Sequence, residues 1–226
     1  MSPFMPSILI AKPSEFIPKN QISWQYESLL WQKGYSPVAG VDEAGRGTLA
    51  GPVTAAAVIL PYQESYAFKD SKLLSAKKRR EFAAIIQEIA LAWAVAEASV
   101  EEVDRFNIAR ASRLAMQRAL DQIGHAATVC DYVKLDDPRV QISIAKADNL
   151  SFQVAAASIL AKESRDARML ELHQAYPHYG FAQHKGYGTK EHIAAITTYG
   201  PSPHHRRSFR PLKQMMQNQS IAFKQQ

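Results

Sequence analysis

Gly40-Val41-Asp42-Glu43-Ala44-Gly45-Arg46-Gly47 ends an apolar run with two adjacent carboxylates and a Gly-Arg-Gly turn. Side chains alternate faces along a strand, so Asp42 and Glu43 cannot share one site from a strand interior. They converge only where the strand stops, and Gly45 and Gly47 supply the stop. Paired acids beside a backbone-exposing loop suit a divalent-metal site that works on phosphate. A solvated strand end followed by a glycine turn would carry the same letters, so the stretch decides nothing alone.

The surrounding pattern is that of an α/β chain. Residues 38–42 and 53–60 form two strands of one antiparallel ribbon around the glycine loop. From 75 to 93, Phe82, Ile85, Ile86 and Ile89 recur at helical spacing behind Ser75, an N-cap. A third strand covers 94–100, and Asn107 caps a helix running through Ile108, Leu114 and Leu120 to Gly124. Residues 128–136 and 140–146 are further apolar segments, each ending near an acid. A long helix over 151–176 is almost free of charge in its first half and is therefore buried. The glycine-rich loop 180–188 leads to a helix capped by Thr189 and closed at Gly200. Three early strands followed by alternating strands and helices give a mixed sheet. Residues 1–35, with Pro3, Pro6, Pro13 and Pro18, form an extension with a short helix over 23–32. Residues 36–200 are expected to form the main domain, and 201–226 a basic segment and a tail, of which 214–226 carries no readable chemistry.

Composition limits the options. An apolar fraction of 46% over 226 residues supports a full core. The single cysteine, Cys130, excludes an internal disulfide and sits in an apolar stretch as a small buried residue. No apolar run approaches the ~20 residues of a membrane span, and residues 1–20 lack a secretory pattern, so a cytoplasmic protein is expected. The net charge of +6 is concentrated in two clusters. One is Lys72, Lys77, Lys78, Arg79 and Arg80; the other is His204, His205, Arg206, Arg207, Arg210 and Lys213. Such clusters favour polyanions, nucleic acid above all, although solvated helix faces look alike.

Two more acids complete a candidate site. Asp136 ends Tyr132-Val133-Lys134-Leu135, and Asp148 lies in Lys146-Ala147-Asp148-Asn149, ahead of the buried helix. Each has a plain alternative, a turn for Asp136-Asp137-Pro138 and a helix cap for Asp148. Gathered with Asp42 and Glu43 at one sheet edge, where open α/β sheets build their sites, four carboxylates would repel one another unless cations neutralised them. Oxygen-only donors select Mg²⁺ or Mn²⁺ over zinc. Two such ions about 3.5–4 Å apart can activate water and stabilise the leaving oxygen of a phosphodiester.

The eight residues from Gly40 to Gly47 resemble the opening signature of ribonuclease HII. So do Asp70-Ser71-Lys72-Leu73-Leu74-Ser75 and Ala155-Ala156-Ala157-Ser158-Ile159-Leu160-Ala161-Lys162. Tyr179-Gly180-Phe181, His184-Lys185-Gly186-Tyr187-Gly188-Thr189 and His204-His205-Arg206-Arg207-Ser208-Phe209 follow in the same order. The resemblance implies a ribonuclease H-like fold with a mixed five-stranded sheet flanked by helices and a C-terminal helical appendage. It implies an endoribonuclease that cuts the RNA strand of RNA–DNA hybrids; a monomer is expected, although the sequence does not give the oligomeric state. The same enzyme would nick duplex DNA 5′ to embedded ribonucleotides, leaving 3′-hydroxyl and 5′-phosphate ends. Asp42, Glu43, Asp136 and Asp148 take the catalytic and metal-binding roles with Mg²⁺ or Mn²⁺. The family usually has Asp-Gly after its third strand, where this chain has Asp136-Asp137-Pro138, so Asp137 is a rival one register step away.

For the substrate, Gly45-Arg46-Gly47 can bring bare backbone to the 2′-hydroxyl that separates RNA from DNA. The resemblance adds Tyr187, stacked on the sugar beside the cut. Lys72, Ser158, Lys162 and Arg165 are candidate phosphate contacts, Ser158 and Lys162 sharing a helix face. His173, His178 and His184 are expected to be structural. Two other readings remain: a hybrid-binding protein with a lapsed metal site, and a related DNA-cutting metal nuclease such as a resolvase or transposase.

Overall fold

β-branched and alanine-rich runs pair into a sheet whose register sets everything at its edge. β1 (Val38–Ala44) runs antiparallel to β2 (Val53–Ile59), with Asp42 opposite Ala56. β3 (Ala92–Ala98) extends the antiparallel side. β4 (Ala127–Asp131) and β5 (Val140–Ile144) extend the other side in parallel, with Val41 opposite Cys130. The order β3-β2-β1-β4-β5 is the expected mixed five-stranded sheet. The computed structural model describes residues 22–63, 65–67 and 74–223.

Alternation along β1 and β2 sorts two cores. Ala39, Val41, Val53, Ala55 and Ala57 meet α4 (Ile108–Leu120) through Ala111, Ala115, Met116, Ala119 and Leu120. On the other face Ala56 and Val58 meet α2 (Ala76–Ile89) and α5 (Phe152–Ala175). Ser75 and Asn107 cap α2 and α4 as expected, and Ser151 caps α5. α3 (Val100–Phe106) departs from the expected pattern; it opens on a capping box between Ser99 and Glu102, which ends β3 early. From the stretch expected to be an extension, α1 (Gln25–Gln32) brings Tyr26 and Leu30 onto Val38, Val129 and Val154.

α5 lies so close to β1 that a Cβ on Gly40 would stand 2.3 Å from the carbonyl carbon of Gln153. Only glycine fits there. The Gln153 side chain locks the contact, donating to the Val38 carbonyl at 2.6 Å and accepting from the Leu60 N–H at 3.0 Å. The helical appendage comprises α6 (Phe181–His184), α7 (Lys190–Tyr199) and α8 (Leu212–Phe223). Its core joins Leu49 and Ala50 to Met169, Tyr179, Phe181, Ile196 and Leu212. Among the described residues no helix is long and apolar enough to cross a membrane.

Glu27 is fully buried at the start of α5, where it accepts from the Ser151 hydroxyl. Burial outweighs that bond and the one from the Gln153 N–H, lifting its carboxyl from 4.5 to about 7. The folded state therefore holds this proton more tightly than the unfolded chain. Its contribution is full below pH 4.5 and is lost as pH rises through 7, by ~3 kcal/mol. Glu27→Gln should raise the urea midpoint at pH 8 and leave it nearly unchanged at pH 4.5; an equal shift at both pH values would contradict the buried charge.

Candidate active site

β1 and β4 run in parallel, so Asp42 and Asp131 emerge as neighbours just after the Val41–Cys130 pair. The Asp42 carboxylate accepts the Glu43 N–H at 2.8 Å and a bond from Ser158 on α5. Asp131 Oδ1 accepts the Ala147 N–H at 3.2 Å, which ties it to the turn carrying Asp148. Asp148 is buried and accepts from Asn149 Nδ2 at 3.2 Å.

This edge is electrostatically unfavourable. Burial, then the Glu43 charge and further the Asp131 charge, raises the Asp42 carboxyl well above the usual carboxylate range. Burial also raises Glu43, with Asp131 adding and Arg46 opposing through a 3.0 Å ion pair to Oε1. Glu43 Oε2 is buried without a partner. As the side chains stand, no three acid, histidine or cysteine groups among the described residues enclose a cation. The donor chemistry nevertheless fits a hard divalent ion: oxygen only, mutually repelling, with one buried oxygen left unsatisfied.

Asp136 is expected at a strand end, and the structure differs. β4 stops five residues earlier, at Asp131, because Tyr132 takes φ +51° and the Val133 N–H folds back onto the Asp131 carbonyl at 2.6 Å. Asp136 instead lines a cavity of about 270 Å³ with Phe106, Arg110, Arg113, Leu114 and Gln117. Its rival Asp137 is held by Arg139 Nε and Nη2, each at 2.8 Å, and by Gln117. The acid that sequence reasoning missed is Asp131. No glycine marks the end of this strand: Asp131 is followed by Tyr132, whose backbone lies in a region that favours glycine.

The Gly-Arg-Gly loop is fastened from behind by two buried guanidiniums. Arg165 on α5, expected to hold phosphate, turns inward. It donates to the Pro52 and Ala50 carbonyls at 3.3 and 3.1 Å, to Thr48 Oγ1 at 2.9 Å and to the Lys185 carbonyl at 3.1 Å. A Cβ on Gly45, whose φ is +92°, would stand 2.0 Å from Arg165 Nε. Arg206 donates to the carbonyls of Gly51, Arg46 and Pro52, each at 3.0 Å. Burial, with Arg165 beside it, pushes Arg206 down to about 9, so it is still a cation at neutral pH. Nothing within 4 Å would obstruct a Cβ on Gly47, which leaves its backbone open to a ligand.

Tyr187 is 46% exposed in a loop pinned to this one: Leu49 N–H donates to the Gly186 carbonyl at 2.7 Å. Ser158 is buried against Asp42. Lys162 pairs with Asp166 at 2.5 Å, and Arg79 joins the same carboxylate at 2.7 Å. The two expected basic clusters are therefore partly internal, since Arg79, His205 and Arg206 are buried. Lys72 lies outside the described residues.

β1 does not stop at Asp42 as expected: Asp42 and Glu43 pair with Ala56 and Ala55, and the ladder runs on to Ala44. A sheet in this order, with acids near the end of β1 and at the end of β4, defines a ribonuclease H-like hydrolase. The ribonuclease HII family model matches residues 39–212. A ribonuclease HII of Thermus thermophilus is 52% identical over 190 residues, covering 83% of this chain and 93% of its own. That of Dechloromonas aromatica is 54% identical over 185 residues, covering 79% and 93%. The crystal structure of ribonuclease H2 from Pyrococcus horikoshii superposes with a TM-score of 0.65 at 25% identity, covering 80% of this chain and 97% of that one. The chain belongs to the ribonuclease HII family and is a ribonuclease H-type nuclease.

Arg206→Met should cost about 3 kcal/mol or more in urea unfolding, because it removes the bonds to the Gly51 and Arg46 carbonyls and leaves Pro52 only the 3.3 Å bond from Arg165. A loss under about 1 kcal/mol would mean the guanidinium does not hold the loop.

Proposed function

We propose that this chain hydrolyses the RNA strand of RNA–DNA hybrids and nicks duplex DNA 5′ to embedded ribonucleotides, leaving 3′-hydroxyl and 5′-phosphate ends. The observation that carries this reading is the gathering of Asp42, Glu43 and Asp131, with Asp148 one residue from the Asp131 bond, beside a loop of bare backbone. These four acids are the residues that would hold Mg²⁺ or Mn²⁺. When bound, such ions supply an activated water and positive charge for the leaving 3′-oxygen.

The chain's own groups do the rest. Ser158 and the Glu43 N–H fix the Asp42 carboxylate, so its lone pairs are directed before a cation arrives. Asp42, raised by burial and by Glu43, and Glu43, raised by burial and by Asp131, are the groups a cation would return to full ionisation. The open backbone at Gly47 suits a contact to the 2′-hydroxyl, which DNA lacks. Tyr187, half exposed in the adjoining loop, suits stacking on the neighbouring sugar. Lys72 and, on release from Asp166, Lys162 would position phosphates without reading sequence. A binding-only protein is not favoured, since its ground was the Asp136-Asp137-Pro138 turn, whose acids stand apart from this cluster.

Labelled duplex DNA with one ribonucleotide should be nicked 5′ to it in Mg²⁺ or Mn²⁺, while an all-DNA duplex stays intact. Asp42→Asn and Asp131→Asn should each slow nicking by about 100-fold or more, and Asp136→Asn by less than about twofold. Full activity in Asp131→Asn would refute its place among the acids.

A further inference from the structure

Beneath Tyr187, buried histidines form a hydrogen-bonded chain whose direction the geometry dictates. A backbone N–H can only donate, so the Ser202 N–H, 3.0 Å from His205 Nδ1, makes that nitrogen an acceptor. The His205 proton is then on Nε2, which lies 3.0 Å from His192 Nε2. His192 Nε2 must accept, which puts its own proton on Nδ1, 2.8 Å from the Tyr187 carbonyl. A carbonyl only accepts, so the relay from Ser202 through His205 and His192 to Tyr187 runs without conflict. Both rings are essentially inaccessible. Burial pushes His192 to about 4 and His205 to about 3, so both are neutral at pH 7.

The end of the relay matters because of what flanks it. Tyr187 stands between Gly186, with φ +85°, and Gly188; its N–H donates to the His184 carbonyl and its carbonyl accepts the Thr189 N–H, each at 2.9 Å, and the His192 bond adds the tie that connects this turn to His205. The other end is anchored to the Gly-Arg-Gly loop: His205 bridges Ala50, and the Arg206 N–H donates to the Leu49 carbonyl at 2.8 Å. His184 supports the arrangement from the side. It accepts the Gly186 N–H at 3.1 Å and stacks on His192 with ring centroids 4.3 Å apart.

We propose that His192 and His205 are positioning residues for substrate recognition, fixing the Tyr187 peptide relative to the Gly45–Gly47 loop so that the tyrosine ring meets the sugar beside the cut. The proposal rests on the reading of Tyr187 as a substrate contact. His192 itself touches no substrate; it acts through the carbonyl it binds.

Two measurements on the full chain test it. In ¹⁵N NMR at pH 7, His192 should carry its proton on Nδ1 and His205 on Nε2; the opposite tautomer at His192 overturns the relay. In steady-state nicking of a duplex with one ribonucleotide, His192→Phe fits between Phe181 and His184. It should raise KM about tenfold with kcat within about twofold. His192→Asn, whose amide N–H stands where Nδ1–H stood, should recover most of that loss. In a Tyr187→Ala background His192→Phe should add nothing, because the group it positions is gone. Additive losses, or a fall in kcat at unchanged KM, overturn the proposal. If His192→Phe does not fold, His205→Phe enters the same cycle. Wild-type protein that leaves the duplex intact refutes the functional reading and the proposal together. Active wild type with an unaffected Tyr187→Ala refutes the proposal alone.

Discussion

The contact between α5 and β1 at Gly40, where a Cβ would stand 2.3 Å from Gln153, governs the remainder of the molecule. A helix seated that closely has no freedom to slide, because interiors are close-packed and adjust in discrete steps. Its seating fixes three things along its length. Ser151 meets Glu27 and so docks α1. Ser158 comes level with Asp42. Arg165, two turns further on, reaches the loop between β1 and β2. The acidic edge, the loop beside it and the N-terminal helix are thus registered by one helix lying against one strand.

The second consequence is the way the loop is built. Loops usually satisfy their carbonyls with water at the surface. Here Arg165 and Arg206 satisfy those of Arg46, Ala50, Gly51 and Pro52 from inside, leaving the outer face of the loop open. Neither guanidinium has an ion-pair partner among the described residues, so each uses its donors on carbonyl dipoles rather than on a carboxylate. Two buried cations behind a loop that faces a polyanion also leave positive potential where the phosphate backbone would lie.

Much of this was legible in the sequence, for identifiable reasons. The β1–β2 ribbon, the caps at Ser75, Asn107 and Thr189, and the buried first half of α5 are local patterns. α3 was announced by Ser99 and Glu102 at capping-box spacing, but seven residues give too little periodicity to stand out. The end of β4 was hidden because the apolar run continues through Tyr132, Val133 and Leu135 after the strand has stopped. What stops it is a tyrosine at φ +51°, a conformation no residue type other than glycine advertises. The inward turns of Arg165 and Arg206 left no trace at all, since a basic residue bound to carbonyls looks in sequence like one bound to solvent.

The acidic edge runs against the stability of the fold. Asp42 and Glu43 are buried next to each other and to Asp131, and only Arg46 partly offsets them. Asp137 and Asp166 are paired with cations elsewhere in the protein, Asp137 with Arg139 and Gln117, and Asp166 with Arg79 and Lys162; Glu27 is buried singly, without a cation, and burial favours its protonated form. A fold that satisfies Asp137 with several donors could equally have satisfied Glu43 Oε2, which has none. The contrast sets the acids of this edge apart from Asp137 and Asp166. Asp137 and Asp166 come with their cations built in, and Glu27 stands apart from any other acid, whereas Asp42, Glu43 and Asp131 are held side by side and left undercompensated. A divalent ion and the phosphate it carries are the partners that would relieve that imbalance, and the register of α5 on β1 keeps the imbalance from relaxing by movement.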